Sequence, residues 1–288
     1  MLYITFPLAA LIELLAPLAL AVWVTHRSGR RAWLLVGVGT LTFIGSQIVH
    51  LPLNWLLGKI GLIANDKAAI IRTALVLGLS AGLCEETARA AGYWALQQRA
   101  RTWASALALG AGHGGIESML VGGLVLLTFV NMLVLRNVDL ATLGLTGDQL
   151  ALARQQMADY WSLPWHMPLT GAVERLIALT LHLALSVLVL QAFVRRNALF
   201  YLGAVIWHAT VNTAAVILLM NEWSAWAIEG ALALSAPLSL GVILAFRSPA
   251  VDAPAEAVTP SDLSPLQLGP KDDAEALREQ IERSRFEK

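Results

Sequence analysis

Seven runs of about twenty mostly apolar residues organise this chain; they lie near 3–25, 33–57, 68–98, 103–135, 171–194, 198–220 and 224–246. Hydrocarbon offers no water to unpaired backbone N–H and C=O groups, so only helices and closed barrels span it. Runs of this length match a helical crossing, and an all-α polytopic membrane protein with a bundle of about seven transmembrane helices is expected. Composition agrees: 57% of the 288 residues are apolar and 14% are charged, against roughly 25% charged in soluble domains. That density cannot cover a soluble globule of this size, so a soluble enzyme is excluded and the lipid bilayer is the surrounding medium. Twenty Lys and Arg balance twenty Asp and Glu; with no basic excess to neutralise phosphates, nucleic acid is excluded as a partner. Cys84 is alone, so neither an internal disulfide nor a cysteine metal cage can form.

Basic residues in the short connections set the expected orientation. Arg27, Arg30 and Arg31, then Arg99 and Arg101, then Arg195 and Arg196, then Arg247 fall at alternate ends of successive spans. Placing them in the cytosol puts the N-terminus outside and the C-terminus inside. The spans make one bundle over 1–246, followed by a flexible Pro, Ala and Ser-rich linker over 247–270 and a short cytosolic helix over 271–288. Residues 136–170 form a long outer loop ending in Trp161, Pro164, Trp165 and Pro168, a pattern of interfacial re-entry. The first run lacks a basic leading segment and contains Pro7, Glu13 and Pro17, so it reads as a span and not a cleaved signal.

The informative residues are ionisable ones inside the spans, where a charge costs roughly 2.5–3.5 kcal/mol on insertion scales. The third span carries Glu85, Glu86 and Arg89, and the fourth His113 and Glu117. The fifth carries Glu174, Arg175 and His182, and the sixth His208 and Asn212. Counted from the expected cytosolic ends, Glu86, His113, His182 and His208 all lie roughly 15–18 Å deep at 1.5 Å per residue. Glu85 or Glu86 can pair with Arg89 at i,i+4 or i,i+3; His113 with Glu117 and His208 with Asn212 are i,i+4 pairs on single faces. Glycines around His113 leave room for a substrate backbone or for close helix approach. Gln47, His50 and Asn54 share a face of the second span beside Pro52 and read as a structural polar patch. Glu13 and Glu229 are single carboxylates for which interhelical hydrogen bonding is the plain reading.

EETAR at 85–89, GHGGIE at 112–117, the Glu174, Arg175 and His182 pattern, and HATVN at 208–212 together resemble the YhfC family of membrane peptidases. That family is related to the wider CAAX-processing and bacteriocin-processing protease group. The resemblance covers about residues 40 to 220. In the wider group the first Glu of EExxxR is taken as the base and the second pairs with Arg. Here the motif is EExxR, and the i,i+4 partner of Arg89 is Glu85, which leaves the two roles open. The group's FxxxH appears as Leu109 to His113 without the aromatic, whereas HxxxN at His208 and Asn212 transfers unchanged.

The resemblance implies an intramembrane endopeptidase in the bacterial cytoplasmic membrane, acting on peptides or membrane proteins. Glu85 or Glu86 would be the general base with Arg89 holding the other, and His113 would share the nucleophilic water. His208 and Asn212 would stabilise the oxyanion. Glu117, His182, Glu174 and Arg175 would support or orient these groups. Three His and one Glu at one level (His113, His182, His208 and Glu86) also suit tetrahedral Zn²⁺, although no HExxH pair is present, and a metal-free glutamate mechanism stays open. A proton-coupled transporter would need a continuous polar path across the membrane, where a peptidase needs one closed cluster. A non-catalytic scaffold would tolerate loss of Glu86 or His113.

Overall fold

The computed structural model describes residues 1–29 and 32–247. Apart from Arg247, the expected linker and tail helix lie outside the described residues. The long helices are α1 (Leu2–Ser28), α2 (Ala32–Lys59), α3 (Ile70–Leu96) and α4 (Trp103–Leu135). After a shorter α5 (Gly147–Ser162) come α6 (Met167–Val194), α7 (Leu199–Met220), α8 (Ala225–Ala233) and α9 (Ser235–Ala245). Among the described residues there are 7 helical stretches long and apolar enough to cross a membrane, α8 and α9 together making the last. No strand occurs among those residues.

Side-chain caps start several helices. Thr102 accepts from the Ser105 N–H at the head of α4, and Ser224 does the same for Ala227 at the head of α8. The main apolar core occupies the arginine-rich half of the bundle. It gathers Val24, Leu35, Tyr93, Leu109, Leu185, Leu190 and Ile243 from six helices. Trp103 Nε1 donates to the Ile243 carbonyl at 2.8 Å, tying α4 to α9, and the Tyr93 hydroxyl donates to the Ser186 carbonyl at 2.9 Å, tying α3 to α6.

Small residues bring the central helices close. A Cβ on Gly82 would stand 2.7 Å from the Val205 carbonyl oxygen of α7, and one on Gly114 would stand 2.7 Å from His182 Cβ of α6. The glycines of GHGGIE therefore serve close helix approach, the second of the two uses open to them from sequence.

The segment expected as a loop over 136–170 holds a helix, α5. Its first turn carries Asp148 and its body consists of good helix formers, but its polar composition hides it from a search for apolar runs. Tyr160 stacks on Phe6 with ring centroids 4.8 Å apart, and Trp161 lies 5.2 Å from Tyr3. Arg136 covers the Trp161 ring at 5.0 Å. The aromatic end of α5 thus packs on the ends of α1 and α4 opposite the arginine-rich side.

Candidate metal centre

Successive residues of a helix diverge by 100°, so Glu85 and Glu86 point to different neighbours. Glu86 turns to Arg89: its Oε2 lies 2.9 Å from the guanidinium Nε, and Nη2 donates to Oε1 at 3.3 Å. Both side chains are wholly buried. Arg89 also donates to the His182 carbonyl at 3.0 Å and to Ser186 Oγ. In the shortened EExxR motif Arg89 therefore pairs with the second Glu, at i,i+3. Glu86 is the carboxylate paired with Arg89, and Glu85 is the one that faces the Nε2 atoms of His113 and His208. Glu86, named from sequence among the metal ligands, contacts Arg89 and His208 Nδ1 and is not part of the convergent group of Glu85, His113 and His182.

Glu85 Oε2 lies 3.2 Å from His113 Nε2 and 3.9 Å from His208 Nε2. Gln47 Nε2 donates to Glu85 Oε1 at 3.4 Å. The ring protons follow from the outer partners. Thr42 donates its only hydroxyl proton to the Gly39 carbonyl at 2.7 Å. The contact of 2.9 Å between Thr42 Oγ1 and His113 Nδ1 therefore has the imidazole as donor. His208 Nδ1 faces the ion-paired Glu86 Oε1 at 2.8 Å and is likewise the donor. In their neutral forms both rings carry their free lone pair on Nε2, and both of those atoms face Glu85 Oε2.

His182 is engaged at both nitrogens. Arg89 Nη2, which can only donate, sits 3.0 Å from Nδ1, and Nε2 lies 2.6 Å from Glu117 Oε2. Glu117 in turn accepts from Arg175 Nη1 at 2.8 Å, and Arg175 also holds Glu174. Arg175 thus bridges α6 to α4 and is more than a helix-end ion pair. One ligating atom each from Glu85, His113 and His182 lies within 4.8 Å of the others, the one such group of three among the described residues. A cation there would have to displace Glu117 from His182. His208 Nε2 needs no such release and faces the same Glu85 oxygen at 3.9 Å, but lies outside that group of three.

A cavity of about 70 Å³ adjoins this cluster, lined by Glu85, Glu117, His182, His208 and Asn212 and, farther out, by Glu174 and Arg175. Its wall is completed by apolar residues such as Leu181, Val211 and Leu232. The sequence-expected site residues therefore meet: Glu85, Glu117, Glu174, Arg175, His182, His208 and Asn212 on the cavity, with Glu86, Arg89 and His113 packed against that shell. Sequence reasoning passed over Thr42 and Ser186, since hydroxyl residues are ordinary in spans. Gln47, which its spacing places in a structural patch, reaches Glu85. Its shared face with His50 and Asn54 was the available signal.

These features define a polytopic membrane protein with a buried Glu, His and Arg cluster able to receive a metal ion, open to a small polar cavity inside the bundle. The chain belongs to the YhfC intramembrane metalloprotease family, whose model matches residues 12–232. It is 30% identical over 241 residues to the uncharacterized membrane protein YhfC of Bacillus subtilis (strain 168), covering 81% of this chain and 92% of that protein. No solved structure matches it. The apolar helices and this membrane-protein relative make it an integral membrane protein.

Proposed function

We propose that this chain is a metal-dependent intramembrane endopeptidase, with its cluster reached by water from the side opposite the arginine-rich end. The observation that carries the reading is the convergence of two imidazole Nε2 atoms on one carboxylate oxygen, Glu85 Oε2, beside a polar cavity. Two imidazoles and a carboxylate with room for further ligands suit a catalytic divalent ion such as zinc. The fit extends outward, because Thr42 and Glu86 hold the two rings in the tautomer that ligation requires. A bound ion supplies Lewis acidity and makes water nucleophilic near neutral pH.

The chain's own groups supply the remaining steps. Glu117, steadied by His182 and Arg175 on the cavity wall, takes the proton of the attacking water and returns it to the leaving amine. Asn212 offers its side-chain amide to the oxygen that gains charge. Arg89 neutralises Glu86 inside the bilayer, which keeps His208 anchored without leaving a free charge.

The polar groups continue from the cluster to Glu174 and Arg175, whereas the other direction is filled by the apolar core around Tyr93, Leu109 and Leu190. A one-sided path favours hydrolysis over transport, which needs polar groups on both sides. With the arginine-rich end in the cytosol of a bacterial membrane, the path opens toward the outer face.

The test is cleavage in proteoliposomes containing membrane proteins of the host, with new peptide termini read by mass spectrometry. Wild-type protein should generate new termini, and Glu85→Gln and Glu117→Gln should abolish them while the protein stays folded. Equal cleavage by Glu85→Gln, or none by wild type loaded with zinc, would overturn the proposal.

A further inference from the structure

The cavity beside the cluster is too small for a peptide. Its volume is about 70 Å³, against roughly 300–1,000 Å³ for pockets that take small molecules, so some wall must move to admit a substrate. Two pairs of helices that line it are fixed. On α3 and α7, Gly82 lies against the Val205 carbonyl, and the Thr213 hydroxyl donates to the Ala74 carbonyl at 3.2 Å. On α4 and α6, a Cβ on Gly110 would stand 2.9 Å from Ser186 Oγ, and Arg175 pairs with Glu117. The last wall is α8, which contacts both α6 and α7 and lines the cavity with Leu232.

This wall is the least secured. Of its nine residues, only Glu229 and Leu232 are buried. Glu229 Oε2 has no hydrogen-bond partner, so the interhelical bond expected of this residue is absent there. Among the described residues, α8 makes one side-chain hydrogen bond to another part of the bundle, from Trp226 Nε1 to His166 Nδ1 at 3.0 Å, and it is exposed. The join to α9 is a single exposed residue, Leu234. Pro237 has no N–H to offer the Ala233 carbonyl, which interrupts the helical ladder at this join. On the neighbouring α6, Val173 and Leu176 are exposed beside Ile177, which lines the cavity.

We infer that α8 is a gate, which turns about Leu234, withdraws Leu232 and admits a membrane-embedded segment of the substrate between α6 and α7. The proposal deepens the peptidase reading and rests on it. The chemistry of the guest follows from the rim it passes. Ile177 on α6 and Val211 and Ala215 on α7 line the cavity there, and such a rim suits apolar side chains arriving from lipid. Backbone N–H and C=O groups that lose their helical partners are costly in hydrocarbon. Past the rim they meet Glu117, Arg175 and Asn212 instead. An apolar, locally unwound segment of a membrane-spanning protein fits both surroundings, whereas a polar soluble peptide does not fit the first.

The test uses full-length protein in lipid vesicles, carrying Cys84→Ala and, as reporter, Leu181→Cys, because Leu181 is buried and lines the cavity. Mass spectrometry follows labelling by N-phenylmaleimide, which partitions into lipid, and by a trimethylammonium maleimide, which arrives only through water. The apolar reagent should react faster. Pro237→Ala supplies the missing N–H and should slow it roughly fivefold, about what one backbone hydrogen bond contributes. Leu232→Ala should speed it, because less side chain seals the wall. No labelling by the apolar reagent, faster labelling by the charged one, or a rate that neither variant moves overturns the gate. A leucine- and alanine-rich transmembrane peptide with a central Gly-Pro break, added in molar excess to the same vesicles, should protect the thiol. Absence of protection overturns the link to a membrane-embedded substrate. These readouts involve no cleavage, so they fail separately from the peptidase reading, which the Glu85→Gln comparison decides.

Discussion

Replacing Arg89 with methionine tests the packing of the cluster most severely. Its guanidinium is wholly buried and meets Glu86 twice, the His182 carbonyl, Ser186 and His182 Nδ1. Arg89→Met leaves the Glu86 carboxylate uncompensated inside the bundle, and breaking a buried pair in this way costs about 3–5 kcal/mol. Glu86→Gln alone strands the guanidinium and should cost a similar amount. The double variant removes both charges and keeps an amide oxygen for His208 Nδ1. Its remaining cost is that of lost packing and orphaned acceptors, about 1–3 kcal/mol. Each variant would be unfolded reversibly in mixed micelles, and the coupling energy taken from the double-mutant cycle. A double variant more stable than either single variant supports the ion pair as described. Additive losses, or an Arg89→Met protein as stable as wild type, would refute the assignment of Glu86 to Arg89.

Three further outcomes follow from local contacts. Thr42→Val removes the partner that holds the His113 ring, and zinc affinity measured by chelator competition should fall about 10–100-fold with little change in unfolding. Gly114→Ala forces a Cβ to 2.7 Å from His182 Cβ and should cost about 1–3 kcal/mol in micelle unfolding, while Gly123→Ala, with nothing within 4 Å, should be neutral or slightly stabilising. Tyr160, outside the spans, has its phenol pushed by burial from 10.0 up to about 12. The unfolded chain therefore loses this proton first, and stability should decline as pH rises from about 10 to about 12. Phenolate absorbance, compared with a Tyr160→Phe variant, checks that window.

The spans were legible because apolar runs of crossing length have no other stable use in a bilayer. The site was legible because charges there are costly enough to stand out. What escaped was angular and relational. Arg89 is within reach of Glu85 at i,i+4 and of Glu86 at i,i+3, and only the packed helix decides that it takes Glu86. The donor role of His113 Nδ1 depends on Thr42 giving its own proton to Gly39, a link no spacing rule contains. Gln47 reaches from α2 to Glu85 on the neighbouring α3, so a residue read as part of a kink-satisfying patch also touches the cluster. The helix α5 is too polar to register against the spans beside it. Likewise Glu13 had no visible partner in sequence, and in the structure one of its oxygens still has none.

The central claim is that Glu85, His113 and His208 are the ligands of one catalytic ion. Elemental mass spectrometry on protein purified without chelators addresses it directly, with wild type beside His113→Ala, His208→Ala and His182→Ala. The account predicts about one divalent ion per wild-type chain, lost in the first two variants and retained in the third, with folding intact in all. Retention in His208→Ala together with loss in His182→Ala would assign the ion to the other trio and contradict it.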